Sequence, residues 1–313
     1  MKIVIATAVY YPQINGVAVF SHNLACGLAR RGNEVMVICP SQTGRNYVRT
    51  VDGVKTVYLK SVEAKVYPDQ IHDVAGKRGL FYKHGFKVSV FPRREVRKAL
   101  DKFQPDVVHV QVSDPIGLSV VSWARRAGVP VVTTEHNQPE VITDPLKMPR
   151  LFKKPANVLL AAYFRNRQSK SDFVTMPTEK AIRGLIGAGE EFKVPVAAVS
   201  NGVDLSSFKP GRVSVEVYKR YGLNEKYKTV LNLGRLDPEK NVGAVIEAFM
   251  KAKKSVDGVQ LVIVGDGVDK ARLMKMADSM TAIKTTGREM LPVTRAIMIK
   301  IAMMEIILTT WKS

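Results

Sequence analysis

The chain has no run of 18 or more apolar residues, which excludes an ordinary membrane-crossing helix. Its opening, MKIVIATAVYYP, has the apolar character of a first buried strand and not the charged start and long apolar stretch of a secretion signal. The expected location is therefore cytoplasmic. Cysteine is nearly absent: Cys26 and Cys39 cannot build a disulfide framework, have no metal-ligand spacing, and are expected to be small core residues. No pair among His22, His72, His84, His109 and His136 has zinc-motif spacing, so no metal site is expected. A P-loop is missing, and Gly265-Asp266-Gly267 lacks the third glycine of a dinucleotide fingerprint. Aromatic residues are only 7% of the chain and do not interleave with the basic ones, so nucleic acid is not an expected partner.

What is present is a 313-residue chain with 46% hydrophobic residues, enough for two α/β domains. Its 48 Lys and Arg exceed its 28 Asp and Glu, a formal net charge of +20, which points to an anionic partner: nucleic acid, a membrane surface or a phosphate-bearing substrate. The excess is uneven. Residues 77–102 carry nine Lys/Arg against Glu95 and Asp101, and residues 147–170 carry seven with no acid. Either cluster could equally be a solvated surface.

Strand and helix patterns alternate. KIVIATAV is followed by a turn and by Val17, Phe20, Leu24 and Leu28 at helical spacing, closed by Gly32, and then by the strand EVMVIC. That βαβ unit calls for a parallel sheet. DVVHVQV (106–112), VPVVTT (129–134), DFVTM (172–176) and VPVAAVS (194–200) continue it, with helices at about 116–127, 150–168 and 178–187. Continuous apolar strands imply helices on both sheet faces. After SNGVDLSSFKPG a second alternation begins: TVLNLGRL (229–236), a helix from Asn241, VQLVIVGD (259–266), a helix at 268–279 and a short strand at 282–286. The boundary falls near residues 195–212, giving domains 1–195 and 196–313, the second with too few strands for a full Rossmann-type sheet.

Ligands of open α/β sheets sit beyond the carboxyl ends of the strands. Asn15-Gly16 opens the first helix, where Gly16 is either a turn glycine or a point of close phosphate approach to the helix N-terminus. Glu135-His136 directly follows VPVVTT, so the imidazole is either structural or projects into the same mouth. In GRLDPEKN, Arg235 and Lys240 flank a turn at the ligand face, within reach of a pyrophosphate, and Asn241 is expected to cap the next helix.

The ordered set YYPQINGVAVFSHNLACGLARRGNEVMVICP, PDVVHVQ, GVPVVTTEHN, SNGVDLSSFKP, LGRLDPEKNV and LVIVGDG resembles glycosyltransferase family 4 over roughly residues 1–287. The resemblance implies a GT-B fold, in which two Rossmann-like doubly wound parallel-sheet domains face a cleft. It also implies hexosyl transfer from a UDP- or GDP-linked sugar with retention and with no cofactor or obligatory metal. The absence of an Asp-x-Asp pair accords with that. Carried onto these residues, Gly16 approaches the donor phosphate, His136 faces the transferred sugar, and Arg235 and Lys240 bind the donor diphosphate, with Gly265 and Gly267 beside them. Asn15, Glu135, Asn201 and Gly202 would lie near the cleft.

One element departs from the family. A Glu-x7-Glu pair should follow the Gly-Asp-Gly strand, but the only pair so spaced, Glu239 and Glu247, precedes it. From Arg288 the text REMLPVTRAIMIKIAMMEIILTTWKS resembles no donor site, so a truncated gene or a frame shift near residue 288 is expected, leaving the second domain incomplete. The apolar tail Ala296 to Leu308 is too short to span a bilayer. The INGV form of the first loop resembles the branch acting on lipids such as diacylglycerol or a phosphatidylinositol. The basic clusters fit anionic headgroups on the inner face of the cell membrane. Transfer to a soluble sugar or polysaccharide precursor, and a non-catalytic remnant that only binds, are the competing readings.

Overall fold

The computed structural model describes residues 1–63, 87–281 and 297–300, apart from 12, 14, 113, 137, 140–142, 144–148, 187–191, 204, 206–207, 209 and 212. The strand expected at 282–286, the first part of the basic cluster at 77–86 and most of the apolar tail lie outside the described residues. The chain divides into two compact units, the first reaching Gly202 and the second running from Val203.

The first unit holds an eight-stranded sheet. Its strands are β1 (Lys2–Ala6), β2 (Glu34–Pro40), β3 (Tyr47–Val51), β4 (Val54–Leu59), β7 (Val107–Val110), β8 (Val131–Thr134), β9 (Phe173–Met176) and β10 (Val196–Ala198); β5 (Val62–Glu63) and β6 (Lys87–Val88) pair separately. The order is β10-β9-β8-β7-β1-β2-β4-β3, and every pairing is parallel except β3 with β4. β10 pairs with β9, so Val196–Ala198 belongs to the first unit and not to the start of the second domain, where a limit at 195 would put it. Parallel pairing of a short apolar run decides the boundary here, and SNGV is the connection beyond it.

Helices cover both faces. Val4 and Ala6 of β1 join Val96, Leu100 and Phe103 of α2 (Arg93–Phe103) and Ile116 and Val120 of α3 (Pro115–Ala127). Ile3 and Ile5 point the other way, onto Ala25 and Cys26 of α1 (Gly16–Arg30). Because strand side chains alternate between faces, one apolar run feeds two cores. α1 differs from its sequence reading. Val17, Phe20, Leu24 and Leu28 are only half-buried, and the fully buried stripe is Ala18, Ser21, His22, Ala25 and Cys26, mostly small residues that let the helix approach the sheet closely. α2 buries Val96, Leu100 and Phe103 at helical spacing, while most of its Lys and Arg residues face water, so this part of the basic cluster is a solvated face. α3 has a complete set of end signals: Asp114 accepts from Gly117 N at 2.8 Å, Pro115 sits in the first turn, and Gly128 closes the helix at φ +68°. The β3–β4 hairpin, unread in the sequence pattern, turns on Asp52-Gly53, both at positive φ (+46° and +79°), the pair a type I′ turn demands.

α4 (Arg150–Gln168) and α5 (Glu179–Ile186) pack on the far end of the sheet through Ala161, Phe164, Ile182 and Leu185 against Val174 and Met176. In the second unit α6 (Val215–Tyr221) precedes β11 (Lys228–Leu233), α7 (Val242–Ala252), β12 (Val259–Val264), α8 (Lys270–Thr281) and β13 (Ile297–Lys300), with parallel order β11-β12-β13. Ile246 and Phe249 of α7 and Leu273 of α8 pack on Leu261 and Ile263, while Val230, Leu231 and Leu233 of β11 are exposed. Among the described residues no helix is long and apolar enough to cross a membrane.

The tight start of α3 gives a stability test. A Cβ on Gly117 would meet Val112 O at 2.4 Å and Val110 Cγ1 at 2.7 Å, whereas one on Gly27, inside α1, meets nothing within 4 Å. Gly117→Ala should cost about 1–3 kcal/mol in urea unfolding. Gly27→Ala should gain about 0.5–1 kcal/mol through helix propensity.

Candidate functional site

In the first sheet the chain leaves β1 toward β2 on one side, and the later strands build outward from β7 on the other. The crevice at such a reversal lies beyond the carboxyl ends of β1 and β7. Three segments end there: the loop after β1 leading to Asn15-Gly16, Gln111 after β7, and Glu135-His136 after β8.

Asn15 caps α1, its side-chain oxygen accepting from Ala18 N at 2.8 Å. Gly16 is exposed, has open space where a Cβ would stand, and begins a first turn without an acid, so the positive end of the helix is not neutralised locally. One turn later Phe20 meets His136 edge-on, with ring centroids 5.0 Å apart. The structure therefore brings the first turns of α1 and His136 together, as their places in the sequence imply. His136 Nε2 lies 3.0 Å from Gln111 Oε1. In that amide orientation Nε2 carries the proton and Nδ1 keeps its lone pair. Burial pushes the His136 pKa down to about 4.

Two further residues of this group escaped the sequence reading. Gln111 is fully buried, and its amide nitrogen has no hydrogen-bond partner among the described residues. His109 lies 2.7 Å from Thr134 Oγ1, which continues to Thr175 Oγ1 at 2.7 Å; burial, then the nearby His136, lowers its pKa to about 4. The signal was there in principle: PDVVHVQV ends the neighbouring strand, so its last residues must share the mouth with EH. Glu135, by contrast, points into the protein. It is 1% exposed, and its carboxylate accepts from Gln168 Nε2 of α4 at 3.0 Å. Asn201 and Gly202 are exposed at the end of the first unit, past β10, two strands along from β8; Asp204 is outside the described residues.

In the second unit, GRLDPEKN leaves the carboxyl end of β11 and makes a 3₁₀ turn over Pro238–Lys240. Arg235 pairs with Asp237 at 2.6 Å and with Glu239, and Lys240 Nζ reaches the same Glu239 oxygen at 3.7 Å. Two cations thus converge on one exposed carboxylate. The expected cap at Asn241 does not form: its side chain makes no capping bond, and its backbone is left-handed (φ +47°) because it also closes the 3₁₀ turn. Gly265 and Gly267 serve a loop crossing. A Cβ on Gly265 would fall 1.8 Å from Gly234 O, and one on Gly267 2.5 Å from Leu236 O. Leu236 N donates to Asp266 O and Asp269 N donates to Leu236 O, each at 2.9 Å. Among the described residues no group of three or more His, Cys, Asp or Glu could hold a metal ion.

Residues 14–207 match the model of Glycosyltransferase Family 4, and residues 216–286 match that of Glycosyl transferases group 1. The alpha-monoglucosyldiacylglycerol synthase of Streptococcus pneumoniae is 28% identical over 271 residues, 85% of this chain and 56% of that protein. The enzyme of the same name from Acholeplasma laidlawii is 28% identical over 291 residues, covering 91% of this chain and 68% of its own. A GDP-mannose-dependent alpha-mannosyltransferase of Mycobacterium tuberculosis is 28% identical, covering 92% of this chain and 68% of its own. The chain therefore spans little more than half of one relative and about two thirds of the others. Sucrose-phosphate synthase from Thermosynechococcus elongatus aligns with a TM-score of 0.62 at 13% identity over 99% of this chain and 73% of its own. Anabaena HepE in complex with UDP and glucose aligns with a TM-score of 0.56 at 14% identity over 96% of this chain and 68% of its own. At these identities the shared feature is the fold.

The buried imidazoles predict a pH response. In the unfolded chain His109 and His136 take up protons near pH 6.5, in the folded one only near about 4. Their contribution to stability is complete above pH about 6.5 and falls as pH drops toward about 4. Urea midpoints followed across that window should decline less steeply for His136→Gln than for the unsubstituted protein.

Proposed function

The chain belongs to Glycosyltransferase Family 4, and from that membership we propose that it transfers a hexose from a UDP- or GDP-linked sugar to a lipid acceptor, with retention at the anomeric carbon. The observation that carries the reading is the convergence of Arg235 and Lys240 on one carboxylate at the carboxyl end of β11. That is an anion site, filled by Glu239 until a diphosphate takes its place. A donor diphosphate there gains two cations, which hold the negative charge that grows on the leaving group as the glycosidic bond breaks. Gly265 and Gly267 serve this site by allowing the loop of Arg235 to lie close over β12.

In the first unit, the N-terminus of α1 at Gly16 offers backbone N–H groups and a positive dipole end to phosphate. His136, neutral at physiological pH, offers hydrogen-bonding capacity to the transferred sugar without adding a positive charge beside an oxocarbenium-like centre. Gln111 fixes the ring, and its spare amide donor suits a sugar hydroxyl. The lipid acceptor is supported by relatives named for glucosylation of diacylglycerol and by a GDP-mannose-dependent phosphatidylinositol dimannoside mannosyltransferase. The nucleotide donor is supported by those names and by UDP and glucose in the HepE complex. The reaction would run at the cytoplasmic face of the membrane, with the protein peripheral to it.

The test is transfer of labelled glucose from its UDP ester, or mannose from its GDP ester, into solvent-extractable diacylglycerol or phosphatidylinositol. Arg235→Ala should lower turnover by about 10²–10³-fold, and Lys240→Ala should also lower it. Label entering only water-soluble sugars would replace the lipid reading with the soluble-acceptor one, and no label in any product would overturn transfer by this chain.

A further inference from the structure

α4 presents an apolar stripe to solvent. Leu151 is 79% exposed and Leu159 72%, with Phe152, Val158 and Tyr163 also exposed on the same face. The opposite face is anchored through Ala161, Phe164 and Gln168, all buried in the first unit. Over its whole length, RLFKKPANVLLAAYFRNRQ, the helix has five Lys or Arg and no acid. At 100° per residue Lys154 borders one side of the stripe and Lys153 and Arg167 the other; Arg165, on the Lys154 side, donates instead to Leu185 O at 2.8 Å, and Arg167 stacks over the Tyr163 ring at 5.0 Å.

We propose that this face of α4 is a docking surface for an anionic lipid bilayer: the stripe enters the boundary between headgroups and acyl chains, and the flanking cations meet the headgroups. A contiguous exposed apolar patch marks an interaction surface. The charge pattern selects the occupant. Cores of protein–protein interfaces are depleted of lysine, and a second copy of this chain would bring its own +20 charge to the contact. An apolar stripe bordered by Lys and Arg matches an interfacial membrane helix, lying flat with its apolar face buried roughly 5–10 Å. The anchored side keeps the helix axis fixed. At its end Gln168 donates to Glu135, the residue before His136, so α4 is tied to the segment that carries this histidine. The proposal rests on the lipid-acceptor reading for its purpose, but not for its test.

Cosedimentation of the full chain with vesicles of phosphatidylcholine and phosphatidylglycerol should show binding that weakens with salt and is absent on phosphatidylcholine alone. Lys154→Gln should weaken partition about fivefold, and Leu159→Glu about tenfold or more. Both positions are exposed, so far-UV circular dichroism should be unchanged. Tryptophan emission of Phe152→Trp should shift to the blue on the anionic vesicles. Wild-type partition by Leu159→Glu, an unshifted Phe152→Trp in a vesicle-bound protein, or no binding at all would overturn the proposal. Concentration-dependent self-association abolished by Leu159→Glu, without vesicle binding, would overturn it in favour of a contact between copies. Transfer to detergent-dispersed diacylglycerol separates the two readings. Leu159→Glu should retain it; docking through α4 without any transfer would refute the enzymatic reading and leave the docking surface standing.

Discussion

A parallel sheet covered on both faces governs the first unit. In β1 the alternation of Val4 and Ala6 with Ile3 and Ile5 commits every interior side chain to one of two apolar cores. In β1 no described side chain faces solvent between Ile3 and Ala6, so a polar group there could not act from either face. Along β1 and its neighbours side chains escape packing at the strand ends, and the reversal between β1 and β7 opens a crevice at the carboxyl side. Gly16, Gln111 and His136 occur where that constraint permits them.

The same constraint explains what could be read from the sequence. Buried parallel strands are plain apolar runs, so β1, β2, β7, β8, β9 and β12 were legible, as were the ends of α3 from Asp114, Pro115 and Gly128. β3 and β4 were not, since much of β3 is exposed and only Asp52-Gly53 announces the turn. The buried face of α1 was misread because hydrophobicity marks Leu24 and Leu28, while close packing on the sheet selects Ala18, Ser21 and Ala25. Pairs across strands needed the strand order before they could be read. His109 meets Thr134 and Gln111 meets His136 only through the register that sets His109 opposite Val132. Asn241 looked like a cap because its type and place were right, but a 3₁₀ turn just before it had already fixed its backbone.

Burial also sets the electrical character of the first-unit group. Two imidazoles in one desolvated region cannot both take protons cheaply, and each is held neutral through the physiological range. The fixed positive element there is the end of α1, a backbone dipole that needs no counter-ion and does not titrate. A carboxylate in the same region would oppose an incoming phosphate. Glu135 does not: the sheet continues through its backbone, with Glu135 N bonded to Thr175 O at 2.9 Å, and its side chain turns inward to Gln168.

The second unit solves the opposite problem, keeping strong cations in place at a solvent-facing loop. A free arginine loses rotamer entropy when it grips an anion, which erodes the gain from the contact. Here Asp237, nearly buried behind the loop, holds one arm of the Arg235 guanidinium, and its other carboxylate oxygen accepts from Val268 N at 3.3 Å. Asp237 is thereby fixed to the loop after β12, and Gly267 is what lets that loop come so near. The guanidinium is oriented before any ligand arrives. Glu239 holds its other arm from an exposed position that solvent screens, so that contact is the weaker of the two and the one an anion can displace. On the proposed function, a diphosphate would carry more charge than the Glu239 carboxylate and would engage Lys240 as well, so the exchange would favour the ligand while Asp237 keeps the arginine aimed.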